Sequence, residues 1–289
     1  MIKKLKSYLK KNRHNTSVKI NIDNYTLIAP ATHKIEFYLN KFKHYSRNLG
    51  RIAKYIEAKY TTYSILDIGA NIGDSVALLR SAGVLQTVHA VEGEPSYYEI
   101  LEQNITQFSD CVAYNCFLGE HTQQEQLNIS ADEGTATLRT DSKKLIDVEK
   151  LDDFIQHHSL TNVKLLKIDT DGFDLKILRG SFSYLRQLKP VLFFEYDASY
   201  IEEQGDDAIK IFDDLAKLGY KKILYYDNFG KFLLSITTKD TLTINQLYDY
   251  LPKGESAFFY YDLCIFHEDD DNLADEVIQK EMTFFTAEK

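Results

Sequence analysis

The chain has 289 residues, of which 44% are hydrophobic and 27% are charged, and its formal net charge at pH 7 is −9. This composition is typical of a globular protein with a sizeable core, and the acidic balance argues against a general nucleic-acid binder, which needs a basic surface. The three cysteines show no CxxC spacing, so we expect free thiols in a reducing compartment. Because no apolar run reaches the roughly 18 residues of a membrane span and no signal-peptide pattern is visible, we expect a cytoplasmic protein.

Residues 1–60 form a predicted N-terminal cap of helices and one hairpin. Residues 1–14 carry six Lys and Arg side chains among apolar residues at helical spacing, a pattern typical of a solvated first helix or of peripheral contact with an anionic membrane. Alternation over 18–29 predicts the hairpin, and helical patterns follow over 34–39 and 48–60. Polar side chains of the cap could reach a substrate, although a lone His is more often a packing residue. The candidates are His33, His44, Tyr45, Arg47 and Asn48.

Residues 64–75 are the stretch around which the rest of the chain is organised. The apolar run over 64–68 predicts a buried strand, and the glycines that follow predict a tight turn into a helix. Glycines let the backbone approach a ligand, and a helix N-terminus offers free N–H groups to an anion. Glu92 ends the next predicted strand, where an acid usually holds a ribose diol. We therefore expect a nucleoside-bearing cofactor, held by Asp67, Gly69, Ala70, Asn71, Gly73, Asp74, Glu92 and Asp169.

Beyond this unit, predicted helices and strands alternate along the chain. The predicted helices cover residues 96–105, 173–178, 209–218, 242–251 and 269–289, and the predicted strands cover residues 112–118, 163–168, 190–196, 223–226, 232–236 and 258–266. Residues 123–139 predict a hairpin over the sheet with its turn at 133–134, and residues 148–155 a strand edge that leads into a helix. The pattern predicts an α/β fold over 61–289, with a mostly parallel sheet and a terminal antiparallel hairpin.

The spacing of the glycines distinguishes between two kinds of cofactor. Three residues separate Gly69 from Gly73, and Asn71 stands where the dinucleotide fingerprint G-x-G-x-x-G needs a glycine. A pyrophosphate would approach this loop poorly, which argues against a nicotinamide-dependent oxidoreductase. The loop better suits S-adenosyl-L-methionine (SAM), with its carboxylate near the helix start, its ribose at Glu92 and its sulfonium near Asp67.

At these residues the chain resembles the FkbM family of SAM-dependent methyltransferases. The resemblance rests on motifs that occur in the right order over 64–196, namely L-D-I-G-A-N-I-G-D from Leu66, V-E-G-E-P from Val91, L-D-D from Leu151 and K-I-D-T-D-G-F-D from Lys167. It implies a Rossmann-like class I methyltransferase fold and methyl transfer to oxygen. The flanks resemble a subgroup associated with surface-glycan genes, which implies polysaccharide biosynthesis and a sugar hydroxyl of a glycan or glycan precursor as the acceptor.

Acids at the ends of two predicted strands supply the candidate catalytic groups. Methyl transfer from a sulfonium depends mostly on alignment, but an alcohol acceptor also profits from a base that takes its proton. We expect Glu195 to be this base or an anchor for the substrate hydroxyl, with a salt bridge as the alternative, and Tyr196 to contact the substrate. Asp169 has the competing task of holding the SAM amine. Lys167 lies on the same strand face and neutralises these acids or takes part in the reaction; Asp171 completes the catalytic candidates.

Two further interpretations stay open at this stage. Asp169, Asp171 and Asp174 could bind a hard divalent cation, but the position of the glycine excludes an EF-hand loop, and we assign no metal. The chain could also be a catalytically silent SAM-fold module that scaffolds a glycan-assembly complex, and its oligomeric state is left open.

Overall fold

The computed structural model describes residues 16–132, 135–139, 145–251 and 258–287, with the backbone alone over 128–132 and 135–139. The basic segment over 1–14 and the turn at 133–134 lie outside the described residues, so the first helix and its membrane contact stay predictions. Within the described ranges, no helix is long and apolar enough to cross a membrane.

Strands and helices alternate over most of the described chain. The strands are Ser17–Ile22 (β1), Tyr25–Pro30 (β2), Ser64–Ile68 (β3), Thr87–Glu92 (β4), Cys111–Asn115 (β5), Phe117–Gly119 (β6), Gln123–Gln126 (β7), Asn128–Asp132 (β8), Thr135–Arg139 (β9), Leu145–Lys150 (β10), Val163–Ile168 (β11), Val191–Asp197 (β12), Tyr220–Asp227 (β13), Phe232–Thr237 (β14) and Tyr260–His267 (β15). The helices are Ile35–Lys41 (α1), Arg47–Glu57 (α2), Asp74–Ser81 (α3), Pro95–Ile105 (α4), Leu151–His157 (α5), Asp174–Arg179 (α6), Phe182–Leu188 (α7), Ala198–Glu203 (α8), Lys210–Lys217 (α9), Thr241–Tyr250 (α10) and Asp271–Ala287 (α11).

An eight-stranded sheet in the order β14-β13-β15-β12-β11-β3-β4-β5 forms the centre of the fold. Strands β12, β11, β3, β4 and β5 are parallel, and β15 inserts antiparallel between β12 and β13. This arrangement confirms the predicted α/β class with its mostly parallel sheet. The strand order reverses between β3 and β11, and open α/β sheets bind ligands outside the carboxyl ends of strands at such a point.

Helices cover both faces of this sheet. Side chains alternate along each strand, so that Ile65 and Phe193 pack on one face while Leu66 and Phe194 pack on the other. The first face is covered by the β1–β2 hairpin and by α2, α3, α4 and α11. The second face is covered by α5 to α10. The cap therefore shares a hydrophobic core with the sheet.

The structure corrects three element predictions. The predicted strand over 112–118 is two strands, because β5 is the edge of the main sheet whereas β6 pairs with β10 in a separate three-stranded sheet. Over 123–139, β8 and β9 form a hairpin as predicted, but β7 pairs with β10 instead. Helices α7 and α8, of seven and six residues, were not predicted.

Candidate active site

The carboxyl ends of β3, β4, β11 and β12 meet at one edge of the sheet because these strands are parallel. A pocket opens there. Its lining residues are Ile68, Gly69, Asn71, Val91, Glu92, Gly93, Cys116, Phe117, Leu118, Asp169, Thr170, Asp171, Phe173 and Ile177. One wall is apolar and the other carries amide and carboxyl groups. The predicted cofactor residues Asp67, Ala70, Gly73 and Asp74 are not part of this lining.

Glu92 is the buried acid of the pocket. Its Oε2 accepts a hydrogen bond from the backbone N–H of Asn71 at 2.9 Å, and its Oε1 accepts one from Glu94 N–H at 2.8 Å. Burial raises the pKa of Glu92 to about 7, although these two backbone bonds oppose the shift. Because a carboxylate offers about four lone-pair sites, each oxygen can still accept a hydrogen bond from a ligand hydroxyl.

A close contact between two backbone segments explains why residue 69 is a glycine, and this contact could not be inferred from the sequence. Its φ is +75°, and a Cβ added there would lie 1.8 Å from the carbonyl oxygen of Asp169. The absent side chain thus lets the ends of β3 and β11 approach each other. Gly73, with φ +86°, is the N-cap of α3, and Asp74 beside it forms a hydrogen bond with its own backbone N–H.

Lys167 is the buried cation at this edge of the sheet. Its Nζ lies 3.0 Å from Asp67 Oδ1 and 3.5 Å from Asp169 Oδ2, and it donates a hydrogen bond to the Gly69 carbonyl at 3.0 Å. The other oxygen of Asp67 accepts a hydrogen bond from Ser75. Burial lowers the pKa of Lys167, but the neighbouring acids, Asp67 first, raise it above its ordinary value. Lys167 therefore remains charged, which favours the neutralising role over a reactive one.

The catalytic candidates Glu195 and Asp171 belong to an acidic crevice that adjoins the pocket, and Asp171 also lines the pocket itself. Burial, followed by the charges of Asp169 and Asp171, raises the pKa of Glu195 well above its ordinary value. The Oε2 atom of Glu195 is buried and has no hydrogen-bond partner among the described residues. Burial and Asp169 likewise raise the pKa of Asp171, while a hydrogen bond with Tyr200 opposes the shift.

Asp174, the third acid of the predicted cluster, is held at the start of α6. Its Oδ2 accepts a hydrogen bond from Thr170 Oγ1 at 3.0 Å, and burial raises its pKa to about 7. Across the described ranges, no three His, Cys, Asp or Glu side chains are placed to hold a metal ion.

The candidates of the N-terminal cap separate into two groups. Tyr45 is hydrogen-bonded to Tyr260 and lies near Asp169 and Glu195. Asn48 donates from Nδ2 to Asp262 Oδ2 at 2.8 Å. Both therefore belong to the acidic crevice.

The other cap candidates lie elsewhere. His44 and Arg47 line a second, open pocket. The ring of His44 packs on Phe285 with centroids 5.0 Å apart, and Arg47 forms two hydrogen bonds with Asp23 at 2.7 and 2.8 Å. His33 lies at the glycine loop, where its Nε2 is 3.3 Å from Asn71 Oδ1.

Tyr196 does not belong to the crevice. It alternates with Glu195 on β12 and so faces the other side of the sheet, where it is fully buried. Its hydroxyl donates to the carbonyl of Ala208 at 2.9 Å. The structure thus places this predicted substrate residue on the face of the sheet opposite to the crevice.

Asp262 and Tyr260 are site residues that the sequence analysis missed. Asp262 pairs in register with Glu195 across β12 and β15. Burial raises the pKa of Asp262 to about 7, and the Asn48 hydrogen bond opposes the shift. The signal available in the sequence was an acid within the apolar run over 260–266.

Comparisons with known proteins place this chain in a family. A family model described as the methyltransferase FkbM domain matches residues 67–222, more than half of the chain. No curated protein matches. Among solved structures, the chain is similar to a methyltransferase FkbM from Methylobacillus flagellatus KT, with 21% identity and a TM-score of 0.39 over 56% of this chain and 40% of that one.

Two further solved structures are similar over longer stretches. M. jannaschii TYW2 in complex with AdoMet has 12% identity and a TM-score of 0.43, over 87% of this chain and 86% of that one. The N-methyltransferase NodS from Bradyrhizobium japonicum WM9 has 9% identity and a TM-score of 0.42, over 81% and 98%. At such TM-scores and identities, the family match is the finding that identifies the chain. The chain belongs to the FkbM family of methyltransferases, for which the methyl donor is SAM.

Proposed function

We propose that this protein is an O-methyltransferase that methylates a hydroxyl of a sugar in a glycan or glycan precursor. The observation that carries the proposal is Glu195, a carboxyl beside the cofactor pocket whose buried Oε2 has no hydrogen-bond partner among the described residues. A hydroxyl proton is the kind of partner that such an oxygen lacks.

The residues of the first pocket fit SAM. The apolar wall with Phe117 suits a purine base, Glu92 suits the ribose hydroxyls, and the carboxylates of Asp169 and Asp171 suit the amine of the methionine part. When bound, SAM supplies a methyl group on a positively charged sulfur.

Glu195 supplies the proton acceptor that a hydroxyl substrate needs. A general base works best when its pKa lies near the working pH, and burial together with Asp169 and Asp171 raises the pKa of Glu195 above the ordinary carboxyl range. Lys167 cannot compete for this role, because its neighbours keep it protonated. Alignment of the hydroxyl by the surrounding side chains would supply the rest of the catalysis.

The chemistry of the crevice supports a sugar acceptor. Around Glu195 stand the hydroxyls of Tyr45 and Tyr260 and the carboxyl of Asp262. These groups offer several hydrogen-bond partners and two aromatic rings within one small region. Sugars present many hydroxyls together with apolar C–H faces, and aromatic side chains with polar tips suit both.

Methyl transfer to a glycan pool tests this proposal. The purified protein is incubated with SAM and with a glycan extract from cells that lack the gene, and the products are compared by mass spectrometry. We expect an added mass of one CH₂ group per acceptor sugar, and no addition with Glu195→Gln. Calorimetry with SAM and with NAD serves as the control for the cofactor. Binding of NAD without binding of SAM, or methylation of a nitrogen instead of a hydroxyl, would contradict the proposal.

A further inference from the structure

Two carboxyl groups face each other across the strands that close the acidic crevice. Glu195 on β12 and Asp262 on β15 are direct partners in the antiparallel register, so their side chains lie on the same face of the sheet. Like charges in this arrangement destabilise a sheet. Lys167, the buried cation nearby, is held by Asp67. Two directly opposed carboxyls are an exception to the usual pairing of side chains in a sheet, and such exceptions are expected at functional sites.

The surroundings hold the two carboxyls in different ways. Asp262 accepts a hydrogen bond from Asn48 Nδ2 at 2.8 Å, which fixes its orientation. Glu195 Oε2 is buried without a partner among the described residues. The hydroxyls of Tyr45 and Tyr260 are hydrogen-bonded to each other, and the charges of Glu195 and Asp262 act on both hydroxyls. The two tyrosines therefore lie beside the two acids. The crevice thus presents two adjacent acceptors, of which one is fixed and the other lacks a donor.

We propose that Asp262 holds a second hydroxyl of the acceptor, next to the hydroxyl that is methylated, so that the enzyme selects a vicinal diol. This inference rests on the proposed function. Directly opposed residues of an antiparallel pair have Cβ atoms about 4.5–5.5 Å apart, and two neighbouring hydroxyls of one sugar ring can donate to carboxyls at that spacing. An ionised carboxylate only accepts, which matches the two O–H donors of a diol.

The two hydroxyls have different fates in this arrangement. The first gives its proton to Glu195 while its oxygen forms the bond to the methyl carbon and the bond from that carbon to sulfur breaks, which leaves sulfur neutral. The second keeps its proton in the hydrogen bond to Asp262. Asp262 is then the residue that selects the acceptor, and Asn48 is a positioning residue that acts through it.

Simple glycosides test the inference. The probes are methyl hexopyranosides and the analogues of each that lack one hydroxyl, and the measured quantity is kcat/KM for methyl transfer from labelled SAM. We expect the wild type to prefer the diol over the analogue without the neighbouring hydroxyl by about 10- to 100-fold, the effect of one hydrogen bond to a charged group. In Asp262→Asn this preference should fall to near unity, mainly through KM, whereas Glu195→Gln should lose kcat for every sugar.

Two controls separate the possible outcomes. SAM affinity by calorimetry shows whether Asp262→Asn is folded, and Asn48→Ala, which leaves the carboxyl in place, should weaken the preference in the same direction. A wild-type preference that survives in Asp262→Asn would overturn the inference, as would equal rates on diols and deoxy sugars, and both results leave the proposed function standing. If the wild type methylates none of the glycosides but does methylate a nitrogen nucleophile, the proposed function fails and this inference with it.

Discussion

The ammonium group of Lys167 lies 3.0 Å from Asp67 Oδ1, between two parallel strands on which these residues are direct partners. Both side chains are buried. The pair joins the first strand of the cofactor unit to the strand that ends in Asp169, and the same ammonium lies 3.5 Å from Asp169 Oδ2. One buried cation thus sets the charge balance for acids on both sides of the point where the strand order reverses.

Removal of this cation should destabilise the protein strongly. We expect Lys167→Met to lower the free energy of unfolding by about 3–5 kcal/mol, because it leaves the charge of Asp67 buried without a counter-ion. The double variant Asp67→Asn with Lys167→Met should recover part of the loss. The measurement is denaturant unfolding, with Lys210→Met on the surface of α9 as the control, expected within about 0.5 kcal/mol of the wild type. A Lys167→Met protein as stable as this control would show that the ion pair of Lys167 and Asp67 does not stabilise the fold.

Gly69 should be far less replaceable than a glycine with the same backbone conformation elsewhere. Gly83 has φ +77° with nothing within 4 Å of an added Cβ, whereas at Gly69 the added Cβ would lie 1.8 Å from the Asp169 carbonyl oxygen. Gly83→Ala should therefore cost only the strain of the left-handed conformation, about 1–2 kcal/mol. Gly69→Ala adds an overlap between two backbones, so we expect a much lower midpoint of thermal unfolding or no folded protein. Equal midpoints for the two variants would contradict this reading.

Glu92 should determine the affinity for SAM. In Glu92→Gln an amide donor replaces one of the two carboxyl oxygens, which accept hydrogen bonds from two backbone N–H groups and are expected to accept from the ribose hydroxyls. We expect the Kd for SAM to rise about 10- to 100-fold, measured by calorimetry. Glu102→Gln, an exposed change on α4, is the matched control and should leave the Kd unchanged. A wild-type Kd for the Glu92 variant would place the ribose elsewhere.

The rate of methyl transfer should depend on pH through Glu195. Burial and neighbouring carboxylates, with Asp197 among them, raise its pKa, and only the ionised form can accept a proton. The rate should therefore rise with pH through that raised pKa and then level off. Asp197→Asn removes one negative charge, so the pKa of Glu195 should fall and the acid limb should move to lower pH. Asp213→Asn on the surface of α9 should leave the profile in place. An acid limb that stays fixed or moves to higher pH in Asp197→Asn would argue against Glu195 as the base.

Local sequence patterns predicted the half of the site that depends on consecutive residues. The strand, glycine turn and helix over 64–75, and the acids at the ends of β4, β11 and β12, follow from short apolar runs that break at a polar residue. Because these strands are parallel, their carboxyl ends lie at the same edge of the sheet, and the sequence needs to supply nothing more to bring the acids together. That is why Glu92, Asp169 and Glu195 could all be named in advance.

The other half depends on strand order, which local patterns do not encode. Asp262 reaches the site because the last strand inserts between β12 and β13 and stands opposite Glu195. The cap residues separate because the chain turns into α2 at Arg47, so that Tyr45 and Asn48 face the crevice while His44 and Arg47 line the second pocket. Tyr196 was misplaced because a single step along a strand reverses the face of the sheet.

Single-turnover methyl transfer by Glu195→Gln, with SAM affinity measured on the same sample, tests the central claim most directly. The change keeps the shape of the side chain and removes its ability to take a proton. We expect unchanged SAM affinity and a rate of transfer to a sugar hydroxyl that falls by about 100-fold or more. Transfer at the wild-type rate by a variant that binds SAM normally would contradict the assignment of Glu195 as the base that accepts the hydroxyl proton.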